Sequence, residues 1–282
     1  MSSDLRYDEI GYWSEVKLDI IREYAAAYSR IISSQMSPKF YHLYIDAFAG
    51  GGLHKSKSTG EFILGSPANA LLVDPPFREY HFIDLDEMKV ESLEGLAGTR
   101  EDVRVYRGDC NQILLTEVLP RAKYEDYRRA LCVLDPYGLH LDWEVVTMIG
   151  QMRSVEIFLN FPVADINRNV LRHKRDQVSQ AQIDRMNRFW GDDSWQNAAY
   201  IPAKQMDLFR EDSEEKASNE IMAEAYRKRL VEMAGFNNVP SPIAMRNTKN
   251  AIVYYLFFAS HKPVAEGIIR DIFKKYANRR GD

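Results

Sequence analysis

At 282 residues the chain has room for one large domain, or for one domain carrying a substantial insertion. Hydrophobic residues make up 45% while Gly and Pro number only 15 and 11, which excludes a disordered or fibrous chain. Thirty-seven basic against 41 acidic side chains leave a net charge of -4, so no global field draws the protein to nucleic acid or to an anionic membrane, although a local basic patch stays open.

The two cysteines, Cys110 and Cys132, are too few for a disulfide framework or a thiolate metal site, and they suit a reducing, cytoplasmic compartment. The opening MSSDLRYDEIGYW has no apolar signal core, and no run approaches the ~20 apolar residues that cross a bilayer, so no membrane partner is expected.

In chain order, Ile20, Tyr24, Tyr28 and Ile32 recur every four residues and predict a helix from Val16 to Ile32, stopped before Pro38. Strand-like and helical stretches then alternate: KFYHLYIDAF, SPANALLV, EYHFIDLD, DEMKVESLEGLA, VRVY, NQILLTEVL, RALCVLD, DWEVVTMIG and VEIFLNF. Five strands separated by helices imply a parallel sheet covered on both faces. The alternation stops at Pro162. Residues 163–235 read as a helical insertion with no strand, and the remainder, 236–282, supplies a hairpin turning at Asn247–Asn250 and a last helix from Val264 to Tyr276. With 1–162 as the first part of the core, this order is that of a Rossmann-like class I S-adenosylmethionine (SAM) methyltransferase fold, α/β with a C-terminal antiparallel hairpin.

The stretch YIDAFAGGG places Asp46 at the tip of the first core strand, ahead of Ala47, Phe48, Ala49 and three glycines, of which Gly50 and Gly52 complete the pattern D-x-F-x-G-x-G. Glycine lets backbone approach a ligand closely. A carboxylate at that point would repel the pyrophosphate of a dinucleotide, whereas SAM carries an ammonium and a sulfonium, so the pattern favours SAM. The alternative is an Asp that merely caps the turn. In FIDLDE, Asp84, with Leu85 beside it, is the expected partner of the ribose hydroxyls, and Asp86 the cap of the next helix. Residues 53–65 are expected to be a long loop, closing over the site or simply mobile, before a helix capped by Ser66 with Pro67 in its first turn. After the third strand, Asp109 suits the adenine amine and Cys110 its ring, or Asp109 caps a helix.

Asp135, Pro136 and Tyr137 follow the fourth strand, beside the topological switch of such a sheet, and resemble the D-P-P-Y signature of amino-directed nucleic-acid methyltransferases. The match is partial, since the aromatic comes one position early and the second proline is missing. Asp135 would orient or deprotonate the acceptor and Tyr137 would pack on it, in an in-line displacement where positioning supplies most of the acceleration. Arg168, Arg172 and Arg175 share one face of a basic run that would track phosphates or face solvent. His42, His54, His81, His140, His173 and His261 form no ligand-spaced group, so no metal site is expected.

On these residues, together with Trp13 and KLDIIREY, GSPANAL, EIFLNFP and YYLFFASHKP, the chain resembles the three-Cys-motif partner (TcmP) proteins nearly end to end. The resemblance implies the methyltransferase-like fold, SAM, and a partner with three clustered cysteines related to radical SAM or phage-type iron-sulfur proteins. It leaves two functions: a methyltransferase acting on the amino group of a nucleic-acid base, and a non-catalytic subunit that keeps the fold as a docking platform.

Overall fold

Strand runs that are apolar on both faces can be satisfied only between two helical layers, and that is where they lie. The structure is a computed structural model that describes residues 8–171, 178–202 and 214–277. A short strand β1 (Asp8–Ile10) leads into the long helix α1 (Tyr12–Ser34), and β2 (Tyr41–Asp46) opens the main sheet. Residues 53–65 are not a plain loop: they form β3 (Leu53–Ser56) and β4 (Phe62–Leu64). These two pair antiparallel, and β1 adds to β3 in parallel, with Asp8 opposite His54 and Ile10 opposite Ser56. Then come α2 (Ser66–Leu71), β5 (Glu79–Asp84), α3 (Glu87–Ala97), β6 (Val103–Arg107), α4 (Cys110–Ile113), β7 (Arg128–Leu134), α5 (Trp143–Met152) and β8 (Val155–Phe161). The expected helix over NQILLTEVL is α4 followed by a π-helical turn at Leu114–Val118.

The insertion holds α6 (Val163–Asn169), α7 (Gln180–Trp190), α8 (Trp195–Ala199) and α9 (Asn219–Glu232), with a two-stranded ladder of β9 (Tyr200–Pro202) and β10 (Glu214–Lys216) that corrects the strand-free expectation. The hairpin β11 (Ile243–Arg246) and β12 (Ile252–Ala259) and the helix α10 (Pro263–Tyr276) complete the chain. Asn250 in the hairpin turn takes the left-handed conformation, φ +61°, which Asn tolerates better than most residues.

The main sheet runs β6-β5-β2-β7-β8-β12-β11. The first five are parallel to one another and β12 is antiparallel to both neighbours. This is the Rossmann-like class I methyltransferase fold, and its strand order reverses between β2 and β7. On one face Tyr44, Leu131, Phe158 and Phe258 pack under α1 and α10; on the other Ile45, Cys132, Ile157 and Phe257 meet α5 and the insertion. Tyr226 of α9 stacks on Phe189 of α7 and touches Phe161 and Phe257, so the described part of the insertion shares the core of the sheet.

Gly150 of α5 marks how tight this joint is, because a Cβ there would lie 2.0 Å from the carbonyl oxygen of Ala234, just past α9. Since that obstacle is backbone, Gly150→Ala is expected to lower stability by about 2 to 3 kcal/mol. In a urea titration the midpoint should fall with the slope unchanged; a wild-type midpoint would show that the joint relaxes freely.

Candidate functional site

Parallel register carries side chains at matched positions onto one face. Asp46 pairs with Val133, and Asp135, two residues on, points to the same side as both. Asn160 of β8 and Tyr254, near the amino end of the antiparallel β12, extend this polar row along the same edge of the sheet. The row borders the face covered by α1, and Lys17 of α1 reaches into it.

Lys17 Nζ pairs with Asp135 Oδ2, and Asn160 Nδ2 donates to Asp135 Oδ1 at 2.8 Å. Only 10% of the Lys17 side chain and 28% of the Asp135 side chain are exposed. A cavity of about 450 Å³ opens above this pair, its walls including Phe48, Ala49, Gly50, Ser66, Asp135, Pro136, Tyr137, Asn160 and Tyr254. The glycine loop and the Asp-Pro-Tyr turn, both picked out from the sequence, therefore line the same cavity at the topological switch, where open α/β sheets bind their ligands.

Gly50, at φ +64°, is the glycine that fronts the cavity. Gly51 and Gly52 serve packing instead: the Gly51 carbonyl accepts from Ser92 Oγ at 2.8 Å, and a Cβ on Gly52, itself at φ +80°, would come within 3.0 Å of Leu96. Asp46 stands one layer behind the wall. It is fully buried (0% exposed) and neither carboxylate oxygen completes a hydrogen bond. Burial, with the charge of Asp135, pushes its pKa up to about 7, while Ser66, the Phe48 amide and Lys17 pull the other way. Asp46 is not among the side chains that line the cavity, whereas Phe48, Ala49 and Gly50 after it are.

The residues expected at adenosine, Asp84, Leu85, Asp109 and Cys110, are not part of the cavity lining. Asp84 holds the glycine loop, accepting from the Gly50 amide through Oδ2 and from the Asp86 amide through Oδ1, each at 2.9 Å. Leu85 beside it is 72% exposed. Asp86 caps α3 as expected, accepting from the Lys89 amide at 3.1 Å. Asp109 caps α4 through the Asn111 amide at 2.7 Å, and Cys110 behind it is buried, its thiol pushed up to about 12. Ser66 is the first residue of α2 rather than its cap, the N-cap position being Gly65. Arg168 lies on α6 directly after β8, whereas Arg172 and Arg175 fall outside the described residues.

Several wall residues escaped the sequence reading. Lys17 lies three residues before Ile20 on the apolar stripe of α1, and a lysine on a buried face is itself a signal. Asn160 is likewise the one amide in the apolar run VEIFLNF. His54 on β3 lines the cavity; burial lowers the pKa of its imidazole, Nδ1 has no hydrogen-bond partner, and a Cβ on Gly65 would come within 3.1 Å of Nε2. Above all, Asp8 to Ser14 form a roof that no period in the sequence announces. Among the described residues no group of His, Cys, Asp or Glu is placed to hold a metal, and no helix is long and apolar enough to cross a membrane.

No family model and no curated protein matches this chain. Among solved structures it is similar to protein LPL1258 of Legionella pneumophila, assigned to the family DUF519, at 11% identity over 92% of each chain with a TM-score of 0.50. It is also similar to a candidate methyltransferase from Thermobifida fusca, at 15% identity over 86% of this chain and 81% of that one with a TM-score of 0.42. A third likeness is the CurJ carbon methyltransferase, at 11% identity, 83% of this chain, 53% of that one and a TM-score of 0.37. At such identities the first likeness speaks for the fold alone, and the two weaker ones carry no further weight.

Proposed function

We propose that this chain is a SAM-dependent methyltransferase acting on an amino group, in its sharpest form the exocyclic amine of a nucleic-acid base. The observation that carries this reading is the single cavity at the sheet's switch point, shared by the Gly50 loop and Asp135-Pro136-Tyr137. Bound there, SAM would supply an electrophilic methyl group, with its amino-acid end beside Gly50 and Ser66 and its ribose at Asp84. Each Asp135 oxygen uses one lone pair on Lys17 or Asn160 and keeps another for an acceptor N–H. With those two contacts fixing it, the carboxylate orients the amine, together with the Pro136 carbonyl, while water takes the proton after transfer. Tyr137, 63% exposed at the mouth, offers its ring to an extruded base.

The resemblance to the three-Cys-motif partner proteins adds an iron-sulfur protein as partner, since this chain's own two cysteines, Cys110 and Cys132, are too few to hold such a cluster. The docking-platform alternative keeps one point in its favour: both Asp135 oxygens already have protein partners. Transfer of labelled methyl from SAM to cellular RNA or DNA, lost in Asp135→Ala, separates the two. No transfer from a chain that binds S-adenosylhomocysteine in isothermal titration would favour the platform; no binding at millimolar ligand would defeat the methyltransferase reading.

Lys17→Met leaves Asp135 without its counter-charge. Methyl transfer is expected to fall by about 10²-fold, the scale of a misplaced catalytic group, with S-adenosylhomocysteine affinity within a few-fold. Equal losses in both quantities would show that Lys17 serves cofactor binding instead.

Asp46 yields a pH test. Its folded pKa, about 7, lies above the unfolded value near 4, so ionising it opposes folding; the penalty is absent below pH ~4, grows up to pH ~7 and is constant above. Asp46→Asn is thus expected to stabilise the protein at pH 8 by about 2 to 4 kcal/mol and to have little effect at pH 4. If the carboxylate serves the SAM ammonium, the same variant binds S-adenosylhomocysteine more weakly despite its higher stability. Denaturant titrations at the two pH values, with calorimetric binding at pH 8, check both halves; unchanged affinity would confine Asp46 to structure.

A further inference from the structure

The roof of the cavity is the segment Asp8 to Ser14, made of β1 and the first turn of α1, where Tyr254 Oη donates to the Trp13 carbonyl at 3.1 Å. β1 pairs with β3, the Lys57 amide donates to the Ile10 carbonyl at 2.9 Å, and the Trp13 ring is folded so closely under Gly11 that a Cβ there would lie 2.5 Å from it. At its outer end the roof is tied by a charge. Asp8 Oδ2 pairs with Lys89 Nζ at 2.7 Å. The same ammonium lies 3.3 Å from Tyr137 Oη and 5.1 Å from the centre of its ring. Lys89 therefore joins three segments distant in sequence: the roof, the helix that follows the Asp84 strand, and the turn that carries the acceptor residues.

Lys89 is well fixed for this. It occupies the third position of α3, where its amide is held by the Asp86 cap, so its side chain starts from a rigid backbone. Tyr137, by contrast, stands largely in solvent, and an exposed ring with no partner would sample several rotamers. The charge-bearing contact selects the rotamer that keeps the ring across the mouth of the cavity.

Resting on the methyltransferase reading, we propose that Lys89 is a positioning residue that couples the two halves of the site: one ammonium closes the roof over the cofactor and sets the Tyr137 ring that meets the acceptor. Cofactor exchange then requires the Asp8–Lys89 pair to part, and its parting frees the ring. A site whose cofactor is loosely held is, by the same contact, a site whose acceptor ring is not yet in place.

The test uses the whole protein and S-adenosylhomocysteine as probe, with Trp13, which lines the cavity, as fluorescent reporter in stopped flow. Lys89→Met and Asp8→Asn are each expected to speed dissociation about fivefold, the scale of a partly exposed ion pair, and the double variant to be no faster than either single one. Lys89→Arg, which keeps the charge, should stay within about twofold of wild type. In hydrogen-deuterium exchange of the ligand-bound protein, Lys89→Met should raise uptake at residues 8–14 and 135–140 together. Wild-type dissociation from Lys89→Met, or a rise in only one of the two segments, would overturn the coupling while leaving the methyltransferase reading intact. Absence of S-adenosylhomocysteine binding by the wild type would overturn both.

Discussion

A lysine on the buried stripe of a helix demands a counter-charge, and in this protein that demand organises the site. Lys17 leaves water on the face that carries Ile20, Ile21 and Tyr24 into the core, and it can do so only by meeting Asp135 at the tip of β7. Since Asn160 takes the other carboxylate oxygen, helix α1, β7 and β8 are cross-linked where the strand order reverses. Removing either partner would leave an uncompensated charge in a half-buried setting. The same arrangement fixes the Asp135 carboxylate in one orientation, which is what the proposed positioning role requires.

Around that pair the cavity is built from parts of different rigidity. Its floor is the polar row on the sheet, with Asp46 behind it, an unpaired carboxylate held at a cost to folding. Its roof is a three-residue strand on a three-stranded ribbon, running into the first turn of α1 and tied at its outer end by one ion pair. Floors of this kind hold groups in place, and roofs of this kind open. Asp84, Leu85 and Asp109 lie outside the roofed volume, so under the proposed function the roof would cover the amino-acid end and the acceptor rather than the whole ligand.

Much of the fold was legible because it rests on local signals. Five strands with apolar runs, helices between them, the Asn247–Asn250 turn and the break at Pro162 each declare themselves within about ten residues. Asp46, Asp84, Asp109 and Asp135 were likewise marked by their places at strand ends. What the pattern could not tell was how each carboxylate is used: Asp84 is shared by two amides and Asp46 is fully buried, while for Asp109 the helix cap it offered is present. The roof was illegible for a different reason. β1 and β3 pair across more than forty residues, and DEI beside LHKS has neither alternation nor length to signal a strand. Lys17 and Asn160, however, were detectable in principle as single polar residues on apolar faces.

The central claim is that this switch-point cavity receives the amino-acid end of SAM. A crystal structure with S-adenosylhomocysteine tests it most directly: the homocysteine moiety should lie between Gly50 and Asp135 beneath the Asp8–Ser14 roof, with the ribose hydroxyls at Asp84. Ligand density on any other surface, or a phosphate-bearing nucleotide seated on the glycine loop, would contradict it.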